Sequence, residues 1–158
     1  MTKDLHIVGF RIGNETYGVP ISLVHEIVRV PEITQVPETP EFVEGVINLR
    51  GKIISVVDLR KRFGGAEIKQ HKKNRVIVVE NTGRLVGLIV DAASEVMKLP
   101  VSQVEPPPNV FTENEITYVT GVGKLNNRLI ILVDLQKVLT RGELRKIGDA
   151  LEAQEVAN

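Results

Sequence analysis

The 158-residue sequence contains no cysteine, which excludes disulfide bonds, thiolate metal sites and cysteine nucleophiles together. Tryptophan is also absent, and aromatic residues make up only 4% of the chain. Twenty basic residues balance twenty acidic ones, whereas proteins that bind nucleic acid or anionic membranes normally carry a basic surplus. No apolar run approaches the ~18 residues that span a bilayer, and the N-terminal stretch MTKDLHIVGFRIG does not resemble a signal peptide. We therefore expect a soluble cytoplasmic globular protein.

Strand signals dominate the first half of the chain. Two runs rich in β-branched and aromatic residues, DLHIVGFRI and ETYGVPI, flank Gly13-Asn14 and predict a β-hairpin. The next segment, SLVHEIVRV, has apolar residues at helical spacing but is short enough to be an extended strand, so both alternatives stay open. Two further strands are predicted at Val46–Leu49 and Lys52–Val57, followed by a short helix that begins at Asp58.

The chain contains an internal repeat, with copies at about 5–64 and 75–140. Two copies are too few for a solenoid. With the strand signals, they predict a mainly β fold in which two small β units, either barrels or a sandwich, form a single domain over residues 1–158. Short helices and an amphipathic C-terminal helix at about 142–154 complete the prediction. Matched positions include Gly18 with Gly87 and Glu26 with Glu95, at an offset of 69, and Gly45 with Gly121 and Asp58 with Asp134, at an offset of 76.

The sequence contains no complete motif for metal or phosphate binding. His6, His25 and His71 lack the paired spacing of metal ligands. The stretch GVINLRGK resembles a phosphate-binding loop, but that motif needs four residues between its glycines and a hydroxyl residue after its lysine. Here five residues separate Gly45 from Gly51, and Ile53 follows the lysine. We expect no metal, no cofactor and no small-molecule substrate.

Asp58 and Asp134 occupy equivalent positions in the two copies, which raises the alternative of a hydrolase with a pair of catalytic carboxylates. Each aspartate also stands directly before a helix-like stretch, LRKRF or LQKVL. A helix N-cap explains both residues, because a carboxylate there accepts hydrogen bonds from free amides and complements the helix dipole. The sequence favours the caps over catalysis.

Arg50 departs from the repeat. A tight hairpin turn prefers Asn, Asp or Gly because it needs a positive φ. The second copy has Asn126-Asn127 at this turn, whereas the first has Arg50-Gly51. Gly51 can supply the backbone conformation, but the turn itself does not call for arginine. Two interpretations of Arg50 remain open. It is a solvated surface charge, which is common for arginine, or it is a functional side chain, since residues that break a local rule often mark functional sites.

The stretch FVEGVINLRGKIISVVDLRKRFG, with RVIVVENTGRLVGLIVDAASEVMKLP and the closing LIILVDL, strongly resembles the CheW-like domain family of bacterial chemotaxis coupling proteins. The resemblance covers roughly Leu5 to Thr140. It implies two intertwined five-stranded SH3-like barrels in one domain. It also implies an adaptor, not an enzyme, that links the cytoplasmic signalling tip of methyl-accepting chemoreceptors to the regulatory domain of the histidine kinase CheA. The start methionine, the short length and the missing kinase motifs favour a stand-alone adaptor over a kinase fragment.

The resemblance also implies roles for individual residues. Arg50 and Gly51 match receptor-coupling positions. Glu26 and Gly45 match such positions too, but both have counterparts in the other copy, so a structural role is the alternative for them. The apolar positions that match a kinase-facing surface are Val8, Ile21 and Val24. Ordinary core packing remains an equal alternative for these three residues, and an exposed apolar patch would favour the interface.

A nucleic-acid-binding module is the rival class, because small barrels bind oligonucleotides through basic and aromatic side chains. The aromatic content is low, and the basic run at 69–75 falls in a connector between the copies. We therefore expect no nucleic acid and no direct membrane insertion, and we expect recruitment to membrane receptor arrays through partner proteins.

Overall fold

A computed structural model describes residues 3–35, 43–63, 71–81, 83–109 and 118–138. Within these ranges the chain forms mostly strands, with two one-turn α-helices and two 3₁₀ turns. The strands are β1 Asp4–Ile12, β2 Glu15–Pro20, β3 Val24–Arg29, β4 Val43–Leu49, β5 Lys52–Asp58, β6 Arg75–Asn81, β7 Arg84–Val90, β8 Ala92–Pro100, β9 Val104–Glu105, β10 Val119–Leu125 and β11 Arg128–Val133. The helices are α1 Leu59–Arg62 and α2 Leu135–Val138, and the 3₁₀ turns are Ile21–Leu23 and Val101–Gln103. The predicted C-terminal helix at about 142–154 lies outside the described residues.

The strands form two sheets that exchange hairpins. One sheet has the order β3-β6-β7-β5-β4, and we call it the first barrel; the other has the order β8-β1-β2-β11-β10-β9, and we call it the second barrel. Each therefore takes one hairpin from the opposite sequence copy: β6 and β7 join the first barrel, while β1 and β2 join the second. The exchanged hairpins pair in parallel, β5 with β7 and β11 with β2. This exchange confirms the intertwined architecture.

Each sheet closes on itself through the chain that continues its edge strand. After β3 the chain returns to β4 at the opposite edge, where Thr34 and Val46 exchange two backbone hydrogen bonds of 2.9 Å. In the second barrel, β9 follows β8 in the chain and pairs with β10 at the other edge. We call the Thr34–Val46 junction the seam of the first barrel. Closure matters because it brings residues of β3 close to the β4–β5 hairpin.

Among the described residues, three apolar clusters stabilise this arrangement. One fills the first barrel and another fills the second; the third, which we call the inter-barrel core, takes residues from both sheets. Burying each of its aliphatic side chains contributes about 1.5–3 kcal/mol, so the barrels are joined by a large apolar interface. The fully or nearly buried members of the inter-barrel core include Val8, Phe10, Val19, Val57, Leu59, Ile77, Leu88, Val90, Val133 and Leu135.

The segment that sequence patterns left ambiguous is extended. Ile21–Leu23 forms a 3₁₀ turn, and β3 then alternates half-buried and exposed residues from Val24 to Arg29. β3 pairs with β6, which supplies the ladder hydrogen bonds that a helix would have made internally. The strand alternative is therefore correct. The hairpin around Gly13-Asn14 and the helix that begins after Asp58 are confirmed as well.

Candidate functional site

Both hairpin turns that differ between the copies have positive φ at their two central residues. The φ values are 50° for Arg50 and 88° for Gly51, against 49° for Asn126 and 63° for Asn127. Type I′ turns require this conformation, and a non-glycine residue other than Asn or Asp pays roughly 1–2 kcal/mol to adopt it. Gly51 adopts the positive φ that the sequence allows, and Arg50 adopts it as well, which the sequence did not predict.

Arg50 forms an ion pair with Glu26 across the seam of the first barrel. Its Nη2 donates to Oε1 of Glu26, although β3 and β4 are at opposite ends of the strand order. The Arg50 side chain is 72% exposed and that of Glu26 is 20% exposed. Since arginine carries five N–H donors in a planar fork, the pair anchors one nitrogen and still presents the guanidinium to solvent. The structure thus brings together two of the four predicted receptor-coupling residues.

Gly51, the third of these residues, shares the turn with Arg50. A Cβ at Gly51 would meet no atom within 4 Å, so its φ of +88° is the constraint that favours glycine. Its backbone N–H donates to Oδ1 of Asn48 at 2.8 Å. Sequence reasoning did not single out Asn48; the signal for it is the repeat, which has Lys124 at the matching position.

Gly45 lies at the seam and not at the turn. Its φ is +150°, and a Cβ there would lie 2.4 Å from the carbonyl oxygen of Thr34. The repeat counterpart Gly121 makes the same close approach, with Glu105 O at 2.9 Å from an added Cβ. Both glycines allow the closing chain to reach the barrel edge, which supports the structural alternative for Gly45.

The three predicted kinase-facing residues do not form one exposed patch. Val8 is 3% exposed and belongs to the inter-barrel core, which supports the core alternative for this residue. Val24 is half-buried and packs against the same core. Ile21 is 41% exposed at the start of the first 3₁₀ turn. Of the three, Ile21 alone offers substantial apolar surface to a partner.

Four other exposed apolar side chains form two repeat-related pairs. Ile27, which follows Glu26 in β3, corresponds to Val96, and Ile53, three residues after Arg50, corresponds to Leu129; all four are exposed. Apolar exposure at these positions is therefore common to both barrels. The turn between the strands does differ, because Arg50 in the first barrel stands where the second barrel has Asn126.

Asp58 and Asp134 line different cavities. Asp58 lines a cavity with His71 and Asn74, whereas Asp134 lines another with Leu5 and Thr120. Asp58 caps α1 as predicted, since its Oδ1 accepts from the backbone N of Arg60 at 2.9 Å. The hydrolase alternative, which needs two neighbouring carboxylates, has no support in this geometry.

The Asp58 carboxylate has a second role that the sequence did not indicate. The Arg60 guanidinium donates to both of its oxygens, from Nε and from Nη2, each at 2.9 Å. Nη1 of Arg60 also contacts Asp91 Oδ1 at 3.3 Å, and Asp91 Oδ2 accepts from Gly13 N at 2.7 Å. The hydrogen bond to Asp58 raises the pKa of Arg60 despite the opposing effect of burial. The buried Asp58–Arg60 pair and the partly exposed Asp91 together link α1 to the β1–β2 turn.

Two further sequence expectations concern metals and membranes. In the described ranges, His, Asp and Glu side chains do not gather in groups of three or more that could ligate a metal ion. The same part of the chain holds no helix that is long and apolar enough to cross a membrane.

Comparisons with known proteins agree with this architecture. Residues 6–143 match the family model described as the CheW-like domain. The chain is 37% identical over 145 residues to the chemotaxis protein CheW of Klebsiella aerogenes, covering 91% of this chain and 87% of that protein. It is 36% identical over 138 residues to the CheW of Helicobacter pylori, covering 87% and 82%. The crystal structure of the scaffolding protein TtCheW from Thermoanaerobacter tengcongensis is similar with a TM-score of 0.79 and 44% identity, covering 89% of this chain and 95% of that one. The chain belongs to the CheW-like domain family.

Proposed function

We propose that this protein is a non-enzymatic chemotaxis adaptor that couples the cytoplasmic tips of methyl-accepting chemoreceptors to the regulatory domain of the histidine kinase CheA. Its family membership and the printed names of its relatives, which include a scaffolding protein, support this proposal. It would act in the cytoplasm and reach membrane receptor arrays through these partners. The observation that carries the receptor side of the proposal is the conformation and exposure of Arg50.

Arg50 has the properties of a side chain retained for an external partner. Its φ is unfavourable for arginine, and the second barrel closes the same turn with Asn126. Its exposed ion pair with Glu26 contributes little to stability, typically 0–1 kcal/mol. The ion pair therefore does not fully offset the strain in the Arg50 backbone. A guanidinium anchored at one nitrogen can donate planar, charge-assisted hydrogen bonds to carboxylate or carbonyl acceptors on a receptor helix.

The kinase side of the proposal rests on Ile21. Its exposed side chain follows Pro20 at the start of a 3₁₀ turn, so a stiff backbone holds it outward. Apolar anchors of this kind often dominate protein interfaces when a partner buries them. Val8 is buried in the inter-barrel core and Val24 packs against it, so Ile21 carries this part of the proposal.

A reconstituted receptor–kinase assay tests the proposal. Arg50→Asn should sharply reduce receptor-dependent activation of the kinase, while direct binding to the kinase regulatory domain persists. The matched control is the double variant Arg50→Asn with Asn126→Arg, which keeps composition and net charge but moves the arginine to the equivalent turn of the second barrel. We expect the double variant to remain inactive. Normal activation by Arg50→Asn would overturn the receptor assignment, and rescue by the double variant would show that only charge is required.

A further inference from the structure

Asn48 holds the turn that carries Arg50. It is the penultimate residue of β4, and its Oδ1 accepts a hydrogen bond from the backbone N–H of Gly51 at 2.8 Å. The β4–β5 ladder pairs Leu49 with Lys52, so Gly51 N lies in the loop beyond the last ladder pair. Asn side chains commonly stabilise turns by bonding to a nearby backbone amide in this way.

The second barrel lacks this arrangement. Lys124 stands at the position that matches Asn48, and a lysine ammonium has no acceptor. Its Nζ lies 3.7 Å from Glu105 instead. The turn there consists of Asn126 and Asn127, and Asn tolerates positive φ better than arginine does. The side-chain acceptor therefore occurs in the one copy whose turn contains the unfavourable arginine.

We propose that Asn48 is a positioning residue for partner recognition by Arg50, an inference that rests on the proposed function. Its carboxamide fixes Gly51, and the fixed Gly51 keeps the preceding Arg50 in the left-handed conformation that points the guanidinium towards Glu26. Without the acceptor, the turn can relax to a form with negative φ at the first position, which arginine prefers. The guanidinium would then leave Glu26 and lose the orientation that the partner requires.

Three variants of Asn48 separate positioning from general stability. Asn48→Ala removes the acceptor, Asn48→Lys copies the second barrel, and Asn48→Asp keeps an acceptor in the same place. Binding of the full-length protein to a purified receptor cytoplasmic fragment should weaken about fivefold in the first two, the effect of one ordinary hydrogen bond. Asn48→Asp should bind within about twofold of the original protein. The amide proton resonance of Gly51 should shift in the Ala and Lys variants and remain close to its original position in Asn48→Asp.

A double-mutant cycle with Arg50→Asn decides the mechanism. If Asn48 acts through Arg50, Asn48→Ala should cause no further loss of receptor binding in the Arg50→Asn background. An equal loss in both backgrounds, or unchanged binding by Asn48→Ala, would overturn the positioning role while leaving the role of Arg50 intact. If Arg50→Asn alone binds the receptor fragment normally, the receptor assignment itself fails, and the positioning role fails with it.

Discussion

Glu26 and Arg50 form an ion pair although 24 positions separate them and their strands lie at opposite ends of the sheet order. Closure of the first barrel at the Thr34–Val46 seam is what brings β3 beside the tip of the β4–β5 hairpin. Glu26 and Arg50, which both match receptor-coupling positions of the family, are thus in direct contact. Disturbing either side chain, or the seam, is expected to change the orientation of the guanidinium.

Arg50→Asn should leave the fold as stable as before or slightly more stable. The substitution relieves roughly 1 kcal/mol of backbone strain and loses an exposed ion pair of about 0–1 kcal/mol. We expect the free energy of unfolding to change by between about 0 and +1 kcal/mol, measured by urea denaturation. A loss of more than about 1 kcal/mol would show that the ion pair is needed for the fold, and the functional argument for Arg50 would then weaken.

Glu26→Gln should reduce receptor coupling by releasing the Arg50 guanidinium from its anchor. The matched control is Glu44→Gln, because Glu44 forms an ion pair with Lys61 in the same barrel. Both variants remove one negative charge from a partly exposed pair, so their net charges are equal. Receptor-dependent kinase activation should fall for Glu26→Gln and remain normal for Glu44→Gln. Equal loss in both would indicate a general charge effect.

The repeat in the sequence was sufficient to predict much of this fold. Matched hairpins and matched glycines indicated two related β units, and the mismatch between Arg50 and Asn126 identified the residue on which the functional proposal rests. The pattern could not predict the Glu26–Arg50 pair, because the contact depends on barrel closure and not on local sequence. The sequence also did not predict the backbone strain at Arg50. A glycine shows that the turn can contain a positive φ, but it does not show that the neighbouring residue has one as well.

The burial of Val8 shows a second limit of sequence patterns. Along β1 the consecutive residues Ile7 and Val8 are both buried, one inside the second barrel and one in the inter-barrel core. Alternation distinguishes the two faces of a strand, but both faces are covered when two barrels pack together. Sequence alone could therefore not decide whether Val8 was core or surface. Ile21 lies in a 3₁₀ turn outside the strands, so its side chain is not covered by either barrel and remains exposed.

Gly45→Ala should destabilise the protein through the seam. An added Cβ would lie 2.4 Å from Thr34 O, a backbone atom that cannot rotate away. Overpacking of this kind typically costs about 1–3 kcal/mol, and the positive φ adds strain. Gly51→Ala is the control, because it also has positive φ but open space around its Cβ position. Urea denaturation should show the larger loss for Gly45→Ala; equal losses would mean that φ and not the close contact is limiting.

Ile21→Asp should abolish most kinase binding without unfolding the protein. Loss of a buried hot-spot side chain costs about 2 kcal/mol or more, roughly thirtyfold in affinity. Val101→Asp is a matched control, because Val101 is similarly exposed and follows Pro100 at the start of the second 3₁₀ turn. Circular dichroism should remain native for both variants, whereas Val8→Asp should unfold. Equal kinase binding by the two exposed-site variants would remove Ile21 from the interface.

Asp58→Asn should destabilise the protein far more than the equivalent Asp134→Asn. Asp58 caps α1 and the sequence predicts a cap at Asp134; asparagine also caps helices well, so capping alone predicts a small loss at both positions. At Asp58, however, the substitution removes the main charge partner of the buried Arg60 side chain, which is 6% exposed. Breaking a buried pair typically costs about 3–5 kcal/mol, and Asp91 still contacts the guanidinium, so we expect a loss of about 3 kcal/mol at Asp58 and less than about 1 kcal/mol at Asp134.

The pH dependence of this loss follows from the direction of the Arg60 shift. Its pKa is raised in the folded protein, chiefly by the Asp58 hydrogen bond. A raised pKa contributes stability that is complete below the unfolded-state value and is lost only as pH rises through the folded value. Both values lie far above neutrality, so this contribution should be constant between about pH 6 and pH 9. Urea denaturation across that range should give the same difference between Asp58→Asn and Asp134→Asn at every pH. A difference that shrinks as the pH rises would mean that the loss does not come from the pair of Arg60 and Asp58.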